Sequence, residues 1–251
     1  KGHSVTLLIL DETNESFYPL KEKINIIQQP LSFGITKDGN IITRKIKLLS
    51  DVIALRKILK SLHADIIIAT EYPFAVSALL AGAKKKSKLV AWEHHHYKEL
   101  HKNFFWDKLF TLAYPKLQAV VCLNKDEELL YANMNAKPVV IPNFIDPSIT
   151  TGQRSNEMIL TVARLAPVKG IDILQQTAKL VLLKHPDWQW KIIGTGEMKE
   201  DVLNFIEKEK LQNKLILQEP VSHNLETEYQ TAALYVMTSM NECFPMVLLE
   251  A

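Results

Sequence analysis

Short apolar runs rich in β-branched residues alternate with longer segments of helical period along all 251 residues of this chain, and that alternation restricts it to α/β layers with parallel strands. Strands are predicted at 5–10, 24–27, 65–69, 88–91, 119–123 and 139–141. The clearest helix lies between the second and third, where Leu48, Val52, Leu55, Leu59 and Leu62 recur at helical spacing with Lys57 and Lys60 on the other face. It is read as packing, and 33–40, with two glycines, as a loop or hairpin. A second series follows, with strands at 158–162, 190–193, 215–217 and 234–237 and helices at 170–184, 198–208 and 224–231. Between the series, two prolines, Pro142 and Pro147, and a polar stretch to Asn156 divide 1–142 from 143–251. Two such units facing one another make a cleft, and ligands of open parallel sheets bind beyond the carboxyl ends of the strands.

Composition narrows the function classes. The chain is 47% hydrophobic and 23% charged, as a globular domain pair should be. No apolar run reaches membrane-spanning length and no signal-peptide pattern is visible. Cys122 and Cys243 form neither a metal-binding spacing nor a disulfide framework, so a reducing cytoplasm is expected. A net charge of +2 argues against bulk nucleic-acid binding. There is no Asp-x-Asp and no phosphate-loop motif. Both ends read as cut, since Gly2 looks like the end of a preceding helix and the helix carrying Glu250 stops one residue later.

The densest chemistry lies in the last stretch, Ser-Met-Asn-Glu-Cys-Phe-Pro-Met-Val-Leu-Leu-Glu-Ala, 239–251. An apolar strand precedes it and helix formers follow Pro245, which places the motif at a strand-to-helix turn. Glu242 and Glu250 flank the turn, and between them the first helical N–H groups lack intrahelical partners. Such a helix start attracts a phosphate. Carboxylates on both sides of a phosphate suit a nucleotide sugar, with its ribose diol, diphosphate and sugar hydroxyls. Upstream, Arg164 and Lys169 follow a predicted strand, where a guanidinium and an ammonium can converge on a diphosphate. Gly194-Thr195-Gly196 follows the next strand, as a plain turn or a ligand contact. In the first half, the strand at 88–91 runs into Trp-Glu-His-His-His-Tyr. Adjacent side chains diverge, so the histidines are not read as a metal site; His95 and His96 are expected to be solvated. Lysines at 84–88, and lysines among Phe104, Phe105, Trp106, Phe110 and Tyr114, read as a solvated turn plus a helix with a buried aromatic face, or as a surface for anionic lipid.

The run Glu, seven residues, Glu, with Phe244-Pro245 inside it and Glu-Ala at its end, resembles the donor motif of the family 4 retaining glycosyltransferases. Cys243 stands where that motif commonly has Gly. The segment at 142–146, Pro-Asn-Phe-Ile-Asp, resembles the family's interdomain segment, with Phe144 where Gly is common. The resemblance implies the GT-B fold, two Rossmann-like parallel-sheet domains facing across a cleft, with an acceptor-side domain at 1–142 and a nucleotide-sugar-binding domain at 143–251. It also implies that a first strand and Gly-rich turn precede residue 1 and that further elements follow residue 251.

In the activity it implies, a sugar moves from a UDP- or GDP-linked donor to a glycan or lipid-linked acceptor with retention, in cell-surface polysaccharide biosynthesis. No metal or other cofactor takes part. Glu242 would hold the transferred sugar, Glu250 the ribose, Arg164 and Lys169 the departing diphosphate, and His94 the sugar from the other domain. Gly194, Gly196, Phe244, Pro245 and Met246 would line the donor site. The enzyme is expected in the cytoplasm, with a peripheral contact at the inner membrane face as the reading the basic and aromatic segment adds. Two rivals remain at this point: a nucleotide-sugar epimerase of the same fold, and a nucleotide-binding fragment without activity.

Overall fold

The computed structural model describes residues 2–11, 23–33, 40–97, 100, 104–145, 157–220 and 225–251. The chain divides into two compact units, Lys1–Pro142 and Asn143–Ala251.

In the first unit β1 (Thr6–Ile9) and β2 (Asn25–Gln28) form a parallel pair, Leu8 opposite Ile27. Helix α1 (Ile41–Leu62) starts where Asn40 Oδ1 accepts the Thr43 N–H at 2.9 Å and ends at His63, whose φ of 48° breaks the helical path. Its predicted apolar face meets the core, with Leu55 buried. Asp51, also buried, accepts the Ser32 and Phe33 N–H groups at 3.1 and 2.9 Å, which ties the chain after β2 onto α1. Then come β3 (Ile66–Thr70), α2 (Tyr72–Leu80), a 3-10 turn at Ala83–Lys85, β4 (Lys88–Trp92), α3 (Phe104–Ala113), β5 (Ala119–Cys122), α4 (Lys125–Ala132) and β6 (Pro138–Val140). Strands β3-β4-β5-β6 make one parallel sheet, with Ile68 opposite Val90 and Val121 opposite Val139. Trp106, Phe110, Tyr114 and Tyr131 pack over it, the Phe110 and Tyr114 rings stacked at 3.8 Å. The aromatic segment thus does bury one helix face, while Phe104 and Phe105 point out. Residues 34–39 of the predicted loop, 146–156 of the polar boundary stretch, and 98, 99 and 101–103 before α3 lie outside the described residues.

The second unit runs β7 (Met158–Val162), a 3-10 turn at Pro167–Lys169, α5 (Ile171–Lys184), β8 (Gln189–Ile193), α6 (Lys199–Lys208), β9 (Leu215–Gln218), α7 (Leu225–Thr231), β10 (Leu234–Tyr235) and α8 (Met246–Glu250). All pairings are parallel, in the order β10-β7-β8-β9. Ile159, Leu174, Leu182, Trp190 and Ile192 fill its core, and the Trp190 indole N–H donates to Thr161 Oγ1 at 3.0 Å. The ladder of β10 stops two residues short of its predicted end at 237. Among the described residues, no helix is long and apolar enough to cross a membrane.

Candidate active site

The order β10-β7-β8-β9 reverses direction at β7, so β7 and β10 flank a topological switch point, where an open parallel sheet leaves a crevice beyond its strand ends. Three loops gather at this end of the sheet. The one after β7 carries Arg164 and Lys169, the one after β8 carries Gly194 and Gly196, and the one after β10 carries Glu242, Phe244 and Pro245 into α8.

Glycine lets these loops lie backbone against backbone. A Cβ on Gly194 would stand 2.0 Å from the Ala163 carbonyl oxygen, and one on Gly196 2.4 Å from that of Leu165. On Gly170, whose φ is 62°, it would stand 2.2 Å from the Thr238 oxygen. The same loops are joined by Leu165 N–H to Thr195 O at 2.9 Å, Met240 N–H to Val168 O at 3.0 Å, and Thr238 Oγ1–H to Lys169 O at 3.0 Å.

This framework brings Lys169 and Glu242, 73 positions apart in sequence, within 2.5 Å of each other, Nζ to Oε1. Their side chains are 25% and 21% exposed, so the pair stays open to solvent. Arg164 is exposed, its carbonyl accepts the Ala166 N–H at 2.9 Å, and among the described residues its guanidinium has no hydrogen bond or ion pair. Glu250 closes α8, and its Oε2 accepts from Tyr229 Oη at 3.1 Å. The Tyr229 ring lies 5.7 Å from that of Tyr235, whose hydroxyl donates to Val162 O at 3.1 Å. Burial, joined by the charges of Glu250 and Glu242, pushes the Tyr235 hydroxyl up to about 12, so it stays a neutral donor beside the two carboxylates. The Phe244 carbonyl accepts from Asn143 Nδ2 at 3.4 Å; Phe244, Pro245 and Met246 are half-buried, and no side chain caps α8. Tyr229, Thr238 and Asn143 were not singled out for the site from the sequence, because each acts through a partner on another element.

His94 belongs to the first unit, two residues beyond β4. Its ring lies 4.9 Å from that of Trp92, tilted by 36°. Around it the loop is fastened. Glu93 is buried against the Tyr114 hydroxyl, His95 Nδ1 is 2.9 Å from Glu71 Oε1, and buried Glu127 accepts the Tyr97 N–H at 3.0 Å while its other oxygen lies 3.4 Å from His96 Nε2. His96 is therefore not the solvated imidazole expected from sequence, being drawn in by Glu127 at the start of α4; His95 is exposed as expected. Glu71, which caps α2, has a φ of 70°, a left-handed value rare outside glycine. His94 itself makes no hydrogen bond among the described residues. Burial lowers its pKa below 6.5, against an opposing pull from Glu71, so the imidazole is neutral at neutral pH. No three His, Cys, Asp or Glu side chains among the described residues are placed to hold a metal ion.

Comparison with known proteins extends the geometry. A family model described as Glycosyl transferases group 1 matches residues 148–251. An uncharacterized glycosyltransferase of Haemophilus influenzae is 26% identical over 261 residues, covering the whole chain and 69% of that protein. The amylovoran biosynthesis glycosyltransferase AmsD of Erwinia amylovora is 26% identical over 263 residues, with the same shares. Among solved structures, S. aureus TarM bound to UDP superposes with a TM-score of 0.65 at 19% identity, over 80% of this chain and 43% of TarM, a likeness of fold. The model described as Glycosyltransferase Family 4 matches residues 1–149, more than half of the chain, and the chain belongs to that family within the GT-B glycosyltransferases.

Proposed function

We propose that the chain carries the donor-binding machinery of a retaining glycosyltransferase that uses a UDP- or GDP-linked sugar and a glycan or lipid-linked acceptor. The observation that carries this reading is the meeting of Lys169 and Glu242 at the switch point between β7 and β10, with Arg164 on the loop after β7 and Glu250 at the end of α8. Two cations and two carboxylates around one crevice match a ligand whose anionic centre lies between two polyols. Glu250, oriented by Tyr229, holds the ribose diol. Arg164 and Lys169 take the diphosphate, Lys169 exchanging its bond to Glu242 for one to phosphate, and Glu242 is thereby released to the sugar hydroxyls. Backbone N–H groups at 244–246 add to the hold on phosphate or sugar oxygens. As the anomeric carbon leaves the phosphate oxygen, the acceptor oxygen bonds to the same face of the sugar. The acceptor proton passes to the phosphate oxygen, so no protein base is consumed. Neutral His94 donates to or accepts from a sugar hydroxyl. The UDP bound to TarM, and the UDP and GlcNAc bound to the pneumococcal transferase GtfA, support the donor class. AmsD, an amylovoran biosynthesis glycosyltransferase by its name, supports a role in polysaccharide biosynthesis.

The test is titration calorimetry of the chain with UDP, GDP and ADP, in parallel with Glu250→Ala and Arg164→Ala. One diphosphate is expected to bind, and each variant to weaken it by about 1–3 kcal/mol, the range for a charged hydrogen bond. A folded chain that binds none of the three overturns the reading.

A further inference from the structure

One residue of the first unit holds a backbone conformation that its place in the fold does not require of a glutamate. Glu71 follows β3 directly and has φ 70° and ψ 156°, a combination that glycine alone adopts without strain. The other non-glycine residues with positive φ among those described, Phe33, His63, Asn135 and Lys210, lie at 48° to 58°, the left-handed range in which single residues end helices and turns. The Glu71 backbone is fully used. Its N–H donates to Trp92 O at 3.0 Å and extends the β3–β4 ladder, and its carbonyl accepts the Ala75 N–H at 3.2 Å in the first turn of α2. A glycine would make both bonds without strain, and the glutamate side chain makes no capping bond to α2. What the strained residue adds is its carboxylate. Oε1 lies 2.9 Å from His95 Nδ1, with the two side chains 37% and 60% exposed. A pair this open to water contributes less than the strain it would have to offset.

The surroundings of that carboxylate define a ligand. Thr70 pairs with Trp92, so the loops after β3 and β4 leave the sheet side by side, at the end where open parallel sheets take ligands. His94, kept neutral by burial against the pull of Glu71, makes no hydrogen bond among the described residues. We propose that Glu71, with His94 and His95, forms a sugar subsite on the first unit in which the Glu71 carboxylate accepts hydrogen bonds from two adjacent hydroxyls of the acceptor. This rests on the reading of the chain as a transferase to a glycan or lipid-linked acceptor, and it names the part of that acceptor the first unit grips. A carboxylate accepts and cannot donate, so its ligand must carry donors. A phosphate in the same place would meet Glu71 as a like charge. Imidazoles donate and accept, which completes the set for a ring whose hydroxyls do both.

The experiment is proton NMR of the histidine imidazoles of the intact chain, titrated at neutral pH with methyl α-D-glucopyranoside, methyl α-D-galactopyranoside, methyl α-D-mannopyranoside and, separately, inorganic phosphate. At least one pyranoside should shift the His94 and His95 resonances saturably, and phosphate should shift neither. Glu71→Gln should weaken that pyranoside about tenfold, read on His94, whose ring is not bonded to Glu71. Glu71→Gly should bind as poorly and unfold at a higher urea concentration than the wild-type chain, because the strain leaves with the carboxylate. Titration of the same samples with UDP, GDP and ADP reports the second unit separately. A diphosphate that binds while no pyranoside moves His94 or His95 overturns the sugar subsite and leaves the donor site standing. A saturable pyranoside shift with no diphosphate bound overturns the donor reading and leaves the sugar subsite. A saturable shift by phosphate, or equal pyranoside affinity in Glu71→Gln, overturns the proposal. So does a Glu71→Gly chain less stable than the wild type, which would make Glu71 a strut of the fold.

Discussion

In Lys1–Pro142 the loop leaving β4 is fastened by side chains, with Glu93 on Tyr114, His95 on Glu71, and Glu127 on both His96 and the Tyr97 N–H. In Asn143–Ala251 the loops leaving β7, β8 and β10 are fastened by backbone hydrogen bonds and the Thr238 hydroxyl, with close approaches at Gly170, Gly194 and Gly196 that a Cβ would block, and one ion pair spans them. The first design spends its polar groups on holding the loop and leaves His94 over. The second is held mainly by backbone atoms and the Thr238 hydroxyl, and its charged side chains, Lys169 with Glu242 and Arg164 in solvent, stay on the surface of the loops.

The comparison breaks most sharply at a glycine. Gly194→Ala puts a methyl group 2.0 Å from a carbonyl oxygen that belongs to the neighbouring loop's backbone and cannot move aside alone. It should cost about 3 kcal/mol or more in urea unfolding of the second unit. Gly82→Ala is the counterpart in the first unit. Its φ is 86° but the nearest atom to a new Cβ is 4.0 Å away, so only backbone strain of about 1 kcal/mol is expected. Equal losses in the two variants would mean that the loops are not held by close approach.

Next in size is the buried carboxylate. Glu127→Gln keeps the side-chain volume but weakens the bonds to the Tyr97 N–H and His96, and should cost about 2 kcal/mol. Glu71→Gln, 37% exposed at the start of α2 and paired with His95 of that loop, should cost less than about 0.5 kcal/mol, as solvent-facing pairs do. Chemical denaturation of both variants settles the order; a larger loss from Glu71 would show that the strained α2 cap, not burial, holds the loop.

Lys169→Met separates ligand grip from scaffold. The pair with Glu242 is partly open to water, so stability should fall by less than about 1 kcal/mol. Affinity for the diphosphate that binds should fall roughly tenfold, because a charge-assisted contact is lost there. A variant that unfolds early and binds normally would make Lys169 a strut.

These particulars explain what could be read in advance. Long periodic segments such as α1 and α5, and β-branched runs such as Met158–Val162, announce themselves because packing against a sheet imposes a period on the sequence. Helices α2 and α4 do not: Tyr72–Leu80 is apolar nearly all round, and Lys125–Ala132 opens with four charged residues and is only eight long. The candidate site was legible as a set of segments because Arg164 and Lys169 follow β7, Glu242 follows β10, and Glu250 stands on the helix beyond it. That Lys169 would bond Glu242, or Tyr229 hold Glu250, was not, since such pairs join different elements and leave no period. That Ile42, Ile46, Leu49 and Ile53 of α1 stay exposed was hidden for the opposite reason: the leucine pattern on the adjacent face accounts for the helix by itself.

The smallest effect tests whether His94 is the group left over in the first unit. Burial lowers its folded-state pKa below 6.5, while the unfolded chain titrates near 6.5. Its contribution to stability is therefore complete above pH 6.5 and is lost as the pH falls through the folded value, because the unfolded chain then takes up the proton first. His94→Gln removes that linkage. The stability difference between the wild-type chain and the variant should stay constant from pH 8 down to about 6.5 and then shift against the wild type. Proton NMR of the imidazoles gives the same answer from another side, with the His94 resonance titrating at lower pH than a free histidine. A constant difference down to pH 5 would place His94 in water, and the first unit would then offer no neutral imidazole at the end of β4.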